Sequence, residues 1–177
     1  MLPKLTLVLG GAASGKSAFA ERLVLDSGLA PVYLATAQAW DEEMRGKIAR
    51  HRNARGAGWL THEAPLDLAP ALTAARPDQA VLLDCATLWL TNQMLADHDL
   101  AAQETALLAA LDACAAPVVV VSNEIGMSVV PENALARRFR QAQGELNQRL
   151  AAQAPLVVAV MAGLPLVLKG TLPGCRA

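Results

Sequence analysis

The chain of 177 residues is the length of one domain and is long enough to bury a core without disulfides or a structural metal. Its net charge of −1, with no long Lys/Arg block, argues against a nucleic-acid-binding surface, and its 54% hydrophobic content with 3% aromatics puts the apolar mass in Ala, Leu and Val. Three scattered cysteines, Cys85, Cys114 and Cys175, fit neither a disulfide framework nor a zinc site, and the most apolar later stretch, 156–168, is too short to span a bilayer and is broken by Gly163 and Pro165. A soluble protein of the reducing cytoplasm, without membrane insertion, is expected.

In chain order, Leu5–Leu9 is an apolar run that leads straight into a glycine-rich loop, so the N-terminus reads as a first strand rather than as a leader. Gly10-Gly11-Ala12-Ala13-Ser14-Gly15-Lys16-Ser17 matches GxxxxGK[ST] between that strand and a helix predicted over Lys16–Asp26. The glycines let backbone N–H groups approach phosphate oxygens, and the helix start adds free donors and a positive dipole end. Lys16 is placed at the β- and γ-phosphates of ATP or GTP, and Ser17 at Mg²⁺. Val32–Ala35 is the next predicted strand. Then Asp41–Arg55 is predicted as a helix with acids in its first turn and bases near its end, the order the macrodipole favours.

On that helix Met44, Ile48, His51, Arg52 and Arg55 share a stripe roughly 100° wide. Flanking guanidiniums would hold a polyphosphate, and a neutral imidazole nitrogen could attack phosphorus. An ordinary solvated helix end has the same spacing, so both readings stand on spacing alone; His62 and His98 read as surface residues. Val81–Asp84 is a strand ending in a carboxylate, and Asp84 is the second expected Mg²⁺ contact. Helices follow at Thr87–Ala96 and Ala101–Cys114, a strand at Val118–Ser122, a helix at Glu132–Ala152 and a strand at Leu156–Met161. Leu164–Leu168 is expected as an antiparallel edge strand. The Ala-rich tracts near residues 69–75 and 109–116 carry little local signal. The helix face at Leu146–Ala152 suits either an interface or the core.

Short apolar strands alternating with amphipathic helices predict an α/β fold, P-loop NTPase-like, with a mostly parallel sheet flanked by helices in one domain over 1–177. The loops beginning at Gly10, Thr36, Cys85 and Asn123 should face one crevice beyond the strand ends.

Several segments are more specific than the loop. Tyr33-Leu-Ala-Thr-Ala37, Asp41-Glu-Glu-Met with Ile48-Ala-Arg-His-Arg-Asn-Ala-Arg55, Trp59-Leu-Thr-His-Glu63, Leu83-Asp-Cys-Ala-Thr-Leu-Trp89, Ser122-Asn-Glu-Ile-Gly-Met127, Val130-Pro-Glu-Asn133 and Asn147-Gln-Arg149, taken together over nearly the whole chain, resemble the bifunctional adenosylcobinamide kinase/adenosylcobinamide-phosphate guanylyltransferases of cobalamin biosynthesis. The resemblance implies that a nucleoside triphosphate phosphorylates the aminopropanol hydroxyl of adenosylcobinamide. GTP would then donate GMP to that phosphate through a GMP-histidine intermediate at His51, releasing pyrophosphate and giving adenosylcobinamide-GDP. It also implies that Ala35, Thr36, Ala37, Arg52, Asn53, Ala54, Arg55, Glu63 and Asp84 line the nucleotide site with the loop. A homo-oligomer is implied as well, a trimer being one such assembly. A carboxylate such as Glu63 suits guanine, because its oxygens accept from N1–H and N2–H₂ together.

Two positions depart from the family pattern: Ala13 stands where the loop usually has Arg, and Gly56 where Pro usually follows Arg55. The competing readings are a single-activity P-loop small-molecule kinase and a non-catalytic nucleotide-gated binding module. The second lacks an NKxD guanine-reading motif, for which Asn123-Glu-Ile-Gly126 is no equivalent.

Overall fold

The computed structural model describes residues 1–38 and 58–174. The helix expected at Asp41–Arg55, with His51, Arg52, Asn53, Ala54 and Arg55, lies outside the described residues, as does Cys175.

Seven strands form one sheet: β1 (Leu5–Gly10), β2 (Ala30–Ala35), β3 (Leu60–Glu63), β4 (Gln79–Asp84), β5 (Val118–Asn123), β6 (Leu156–Met161) and β7 (Leu164–Lys169). Their spatial order is β3-β2-β4-β5-β1-β6-β7, and every pairing is parallel except that of β7 with β6. The described helices are α1 (Lys16–Asp26), α2 (Ala69–Ala74), α3 (Ala86–Leu95), α4 (Leu100–Ala113) and α5 (Ala134–Gln153).

The central strands lack polar alternation because both of their faces are covered. Leu5 and Leu7 of β1, Val81 and Leu83 of β4, and Val118 and Val120 of β5 pack on one face against Leu72, Trp89, Leu90, Leu107, Leu111, Leu146 and Leu150 from α2, α3, α4 and α5. The alternate residues Val8, Leu82, Val119 and Val121 face Phe19, Ala20 and Val24 of α1. Each such valine, leucine or phenylalanine contributes roughly 1.5–3 kcal/mol on leaving water. Leu146 and Leu150 are fully buried, so this face of α5 is core rather than an interface.

Within the described residues, the strands and helices expected from the sequence recur with ends shifted by at most two residues, and two elements are additional. β3, with sequence LTHE, is exposed at all four positions. Pairing with β2 alone makes it a strand. α2 begins in the Ala-rich tract, with a proline in its first turn where no amide partner is needed. β7 is the expected antiparallel edge, and Leu164, Leu166, Val167 and Leu168 are all exposed on it. Among the described residues no helix is long and apolar enough to cross a membrane.

Candidate active site

The parallel register brings the strand ends to one edge. Gly10 is level with Asn123, Asp84 with Val121, and Ala35 with both Asp84 and Glu63. The phosphate loop Gly10–Ser17 leaves β1 there and enters α1.

Two glycines in the loop are required by geometry. A Cβ on Gly10 would stand 2.3 Å from Ser14 Oγ and 2.7 Å from the Val160 carbonyl oxygen, and Gly15 has φ +91° with Gly163 Cα only 3.1 Å from where its Cβ would be. Ala13 also has positive φ, 56°, a conformation costing a non-glycine residue roughly 1–2 kcal/mol. Three main-chain bonds tie the loop down: Ser14 N–H to Gly11 O (3.3 Å), Gly163 N–H from the β6–β7 turn to Ser14 O (2.8 Å), and Glu124 N–H to Gly10 O (3.0 Å). No side chain caps α1 and no acid occupies its first turn. Its N-terminal amides are therefore open to an anion. Lys16 Nζ rests on the Gly11 carbonyl at 3.0 Å, a contact that phosphate oxygens can replace.

Two strands away, Asp84 is half-buried and its Oδ2 accepts from the Tyr33 hydroxyl at 3.0 Å. Tyr33 is itself fixed by an edge-to-face contact with Trp59, the ring centroids 6.1 Å apart. The neighbouring Cys85 thiol is pushed up to about 12, first by burial and next by the Asp84 carboxylate, against the opposing pull of backbone N–H groups and of Lys16. Cys85 is thus no nucleophile near neutral pH.

The sequence-predicted residues fall into three groups. Gly10, Gly11, Ala12, Ala13, Ser14, Gly15, Lys16, Ser17 and Asp84 gather at the carboxyl-end edge of the sheet with half-buried Ala35 and Ala37. Thr36 lies there too, but it is fully buried and its polar atoms are engaged by the protein. Its N–H meets Asp84 O, its hydroxyl both donates to Cys85 O and accepts from Cys85 N–H at 2.8 Å, and its carbonyl accepts from Asn92. Thr36 therefore joins the β2 and β4 termini. Glu63 ends β3 at the sheet edge and is exposed.

Sequence reasoning missed a buried polar cluster behind the end of β5. Ser122 Oγ donates to Asn147 Oδ1 (2.6 Å), Gln143 Nε2 donates to both Ser122 Oγ (2.9 Å) and Asn147 Oδ1 (3.0 Å), and Asn147 Nδ2 donates to Asn123 O (3.0 Å). It also missed how the 126–133 loop is held. Arg140 donates to the carbonyls of Gly126 (2.6 Å), Ser128 (3.0 Å) and Val129 (3.4 Å), and Arg137 to those of Pro131 (2.9 Å) and Glu132 (2.5 Å). Met127, Val129 and Val130 stand exposed on that loop. The NE.G and VPEN runs marked the segment, but nothing local linked them to arginines one or two turns into α5.

Residues 6–168 match the family model described as cobinamide kinase / cobinamide phosphate guanyltransferase. The chain belongs to this family. It is 48% identical to the bifunctional adenosylcobalamin biosynthesis protein CobP of Pseudomonas aeruginosa, over 93% of this chain and 96% of that protein. It is 44% identical to the bifunctional adenosylcobalamin biosynthesis protein CobU of Salmonella typhimurium, over 92% of this chain and 98% of that one. Among solved structures, the RadB recombinase aligns with TM-score 0.50 at 18% identity, over 89% of this chain and 74% of its own. A type III secretion system ATPase from pathogenic bacteria aligns with TM-score 0.56 at 10% identity, over 94% of this chain and 57% of its own. At those identities the likeness is one of fold, the P-loop NTPase sheet with its loop after the first strand.

Proposed function

We propose that the chain phosphorylates adenosylcobinamide with a nucleoside triphosphate, ATP or GTP, and then transfers GMP from GTP to adenosylcobinamide-phosphate, giving adenosylcobinamide-GDP and pyrophosphate. The observation that carries this reading is the uncapped N-terminus of α1 behind Gly10–Ser17, at the same sheet edge as Asp84, in a chain matching the family over residues 6–168.

In the first step the loop amides and Lys16 hold the β- and γ-phosphates while the acceptor hydroxyl attacks the γ-phosphorus. The same cradle suits the second step, because a loop that grips the outer phosphates retains pyrophosphate when a nucleophile attacks the α-phosphorus. His51 is that nucleophile in this reading, with Arg52 and Arg55 on the phosphates, Asn53 and Ala54 beside them, and Glu63 on the guanine edge. Ser17 and Asp84 supply one hydroxyl and one carboxylate, hard oxygen donors that fit Mg²⁺, an ion that takes its remaining ligands from phosphates and water. When bound, it would neutralise phosphate charge.

The 126–133 loop, with Met127, Val129 and Val130 exposed beside the crevice, offers an apolar edge to the corrinoid. The exposed leucines of β7 support a homo-oligomer, a trimer being the assembly to test by light scattering. The cytoplasm, where both nucleotides are abundant, is the proposed location, and no nucleic acid is involved.

Incubation with α-labelled GTP tests the two-step reading. Acid-labile label should appear on the wild type and be absent from His51→Ala, which keeps kinase activity, whereas Lys16→Ala loses both activities. Wild type without label would leave a single-activity kinase.

A further inference from the structure

β5 stands between the strand of the phosphate loop and the strand of the acidic residue, since the order through this region is β4-β5-β1. Whatever side chain ends β5 on the α1 face therefore sits between Lys16 and Asp84. Val119 and Val121 pack on that face with Phe19 and Leu82, so the twofold alternation of a strand puts Asn123 there as well, with Ser122 on the opposite side. Asp84 shares the face by the same alternation with Leu82, and its bond from Tyr33, another residue of that cluster, agrees.

The backbone of Asn123 is fixed from behind. Its N–H donates to Thr87 Oγ1 at 2.8 Å and its carbonyl accepts from Asn147 at 3.0 Å. Ser122 and Gln143, both fully buried, lock Asn147 in turn. The next residue, Glu124, donates its N–H to Gly10 O, so the end of β5 and the phosphate loop are one rigid unit. The half-buried carboxamide of Asn123 makes no hydrogen bond among the described residues. A buried network that holds a backbone so firmly and leaves its side chain, on the α1 face, without a partner among the described residues has the form of a preorganised donor.

We infer that Asn123 is a further catalytic residue, whose side-chain amide donates to an oxygen of the γ-phosphoryl group, with Thr87, Ser122, Gln143 and Asn147 as the positioning residues that aim it. This rests on the phosphoryl-transfer reading above. In the step it serves, the acceptor's hydroxyl oxygen bonds to the γ-phosphorus and its proton passes to solvent water. The bond from that phosphorus to the bridging oxygen breaks, and its electron pair leaves on the nucleoside diphosphate. A neutral amide suits this place, because it donates to the equatorial oxygens without adding a charge beside Lys16.

The test compares wild type, Asn123→Ala and the nearly isosteric Asn123→Asp for kinase rate and for binding of ATP and ADP by calorimetry. Asn123→Ala is expected to lower kcat about 100-fold, the scale for one lost preorganised donor. ATP affinity should fall about tenfold while ADP affinity stays within twofold, a split that general loosening of the loop would not produce. Asn123→Asp keeps the shape and removes the donor, so it should be at least as impaired; it carries the test if the alanine variant does not fold. A kcat within threefold of wild type in either variant, or equal losses of ATP and ADP affinity, would overturn the assignment. Failure of the wild type itself to phosphorylate adenosylcobinamide would count against the function, not against Asn123 alone.

Discussion

The two loops that flank the crevice are built by opposite means. Gly10–Ser17 is held by its own main chain: glycines at positions a Cβ could not occupy, and three backbone hydrogen bonds to itself, the β6–β7 turn and the end of β5. The 126–133 loop lacks that internal framework and is held from outside by Arg137 and Arg140, whose guanidiniums gather five carbonyls from within α5. A phosphate changes little from one nucleotide to another, so a rigid main-chain cradle serves it. A loop held by side chains can present apolar residues of any shape to a larger and more particular substrate.

The contrast can be broken most sharply at Gly10. Gly10→Ala forces a Cβ against Ser14 Oγ and the Val160 carbonyl, and nucleotide binding and both activities should fall by more than about 100-fold, measured by calorimetry and by turnover. Retention of ATP binding would show that the loop is not rigid in the sense argued. Next in size is Arg140→Met, which keeps the aliphatic stem and removes the fork. KM for the corrinoid acceptor should rise about tenfold with the KM for nucleotide unchanged. Equal changes in both would mean that the two loops are one unit.

A smaller effect, on stability alone, is expected at the back of the molecule. Arg149 pairs with the buried Glu104 at 2.7 Å, so Arg149→Met leaves that carboxylate unpaired at a cost of roughly 2 kcal/mol, discounted because the arginine is partly exposed. Urea unfolding should register it while neither KM moves. The smallest effect concerns Cys85. With its thiol pushed up to about 12, it should resist alkylation at pH 8 in the native protein, as read by mass spectrometry of its peptide. Its folded value is raised, so its contribution to stability is intact below about pH 9 and falls as pH rises toward 12, where only the unfolded chain ionises early. Rapid native labelling would show that the β4 terminus opens.

The same contrast explains what could be read in advance. The Gly10–Ser17 loop was legible because its conformation resides in local backbone geometry, which its glycines encode within eight residues. β1, β4, β5 and β6 were legible because burial on both faces imposes unbroken apolar runs. β3 was not, since LTHE at an exposed edge carries no hydrophobic pattern and becomes a strand only beside β2. Thr36 was placed at the nucleotide site, and the fold does bring it to the crevice, but its hydroxyl and carbonyl are engaged by Cys85 and Asn92. Asn123 was visible as the start of a strand-end loop expected at the crevice and as part of a family-like run, but not as a site residue.

The sequence by itself determined that a strand, a GxxxxGK[ST] loop and a helix follow one another, that the core is a covered parallel sheet, and which family the chain resembles. These properties are set by short-range periodicity and by residues whose backbone freedom or chemistry allows few substitutes. Only the tertiary structure decided that β5 lies between β1 and β4, that Asn123 therefore shares a face with Asp84, and that arginines of α5 shape the loop beside the crevice. Strand order and long side-chain reach join residues far apart in the chain, and no local pattern records which of them will meet.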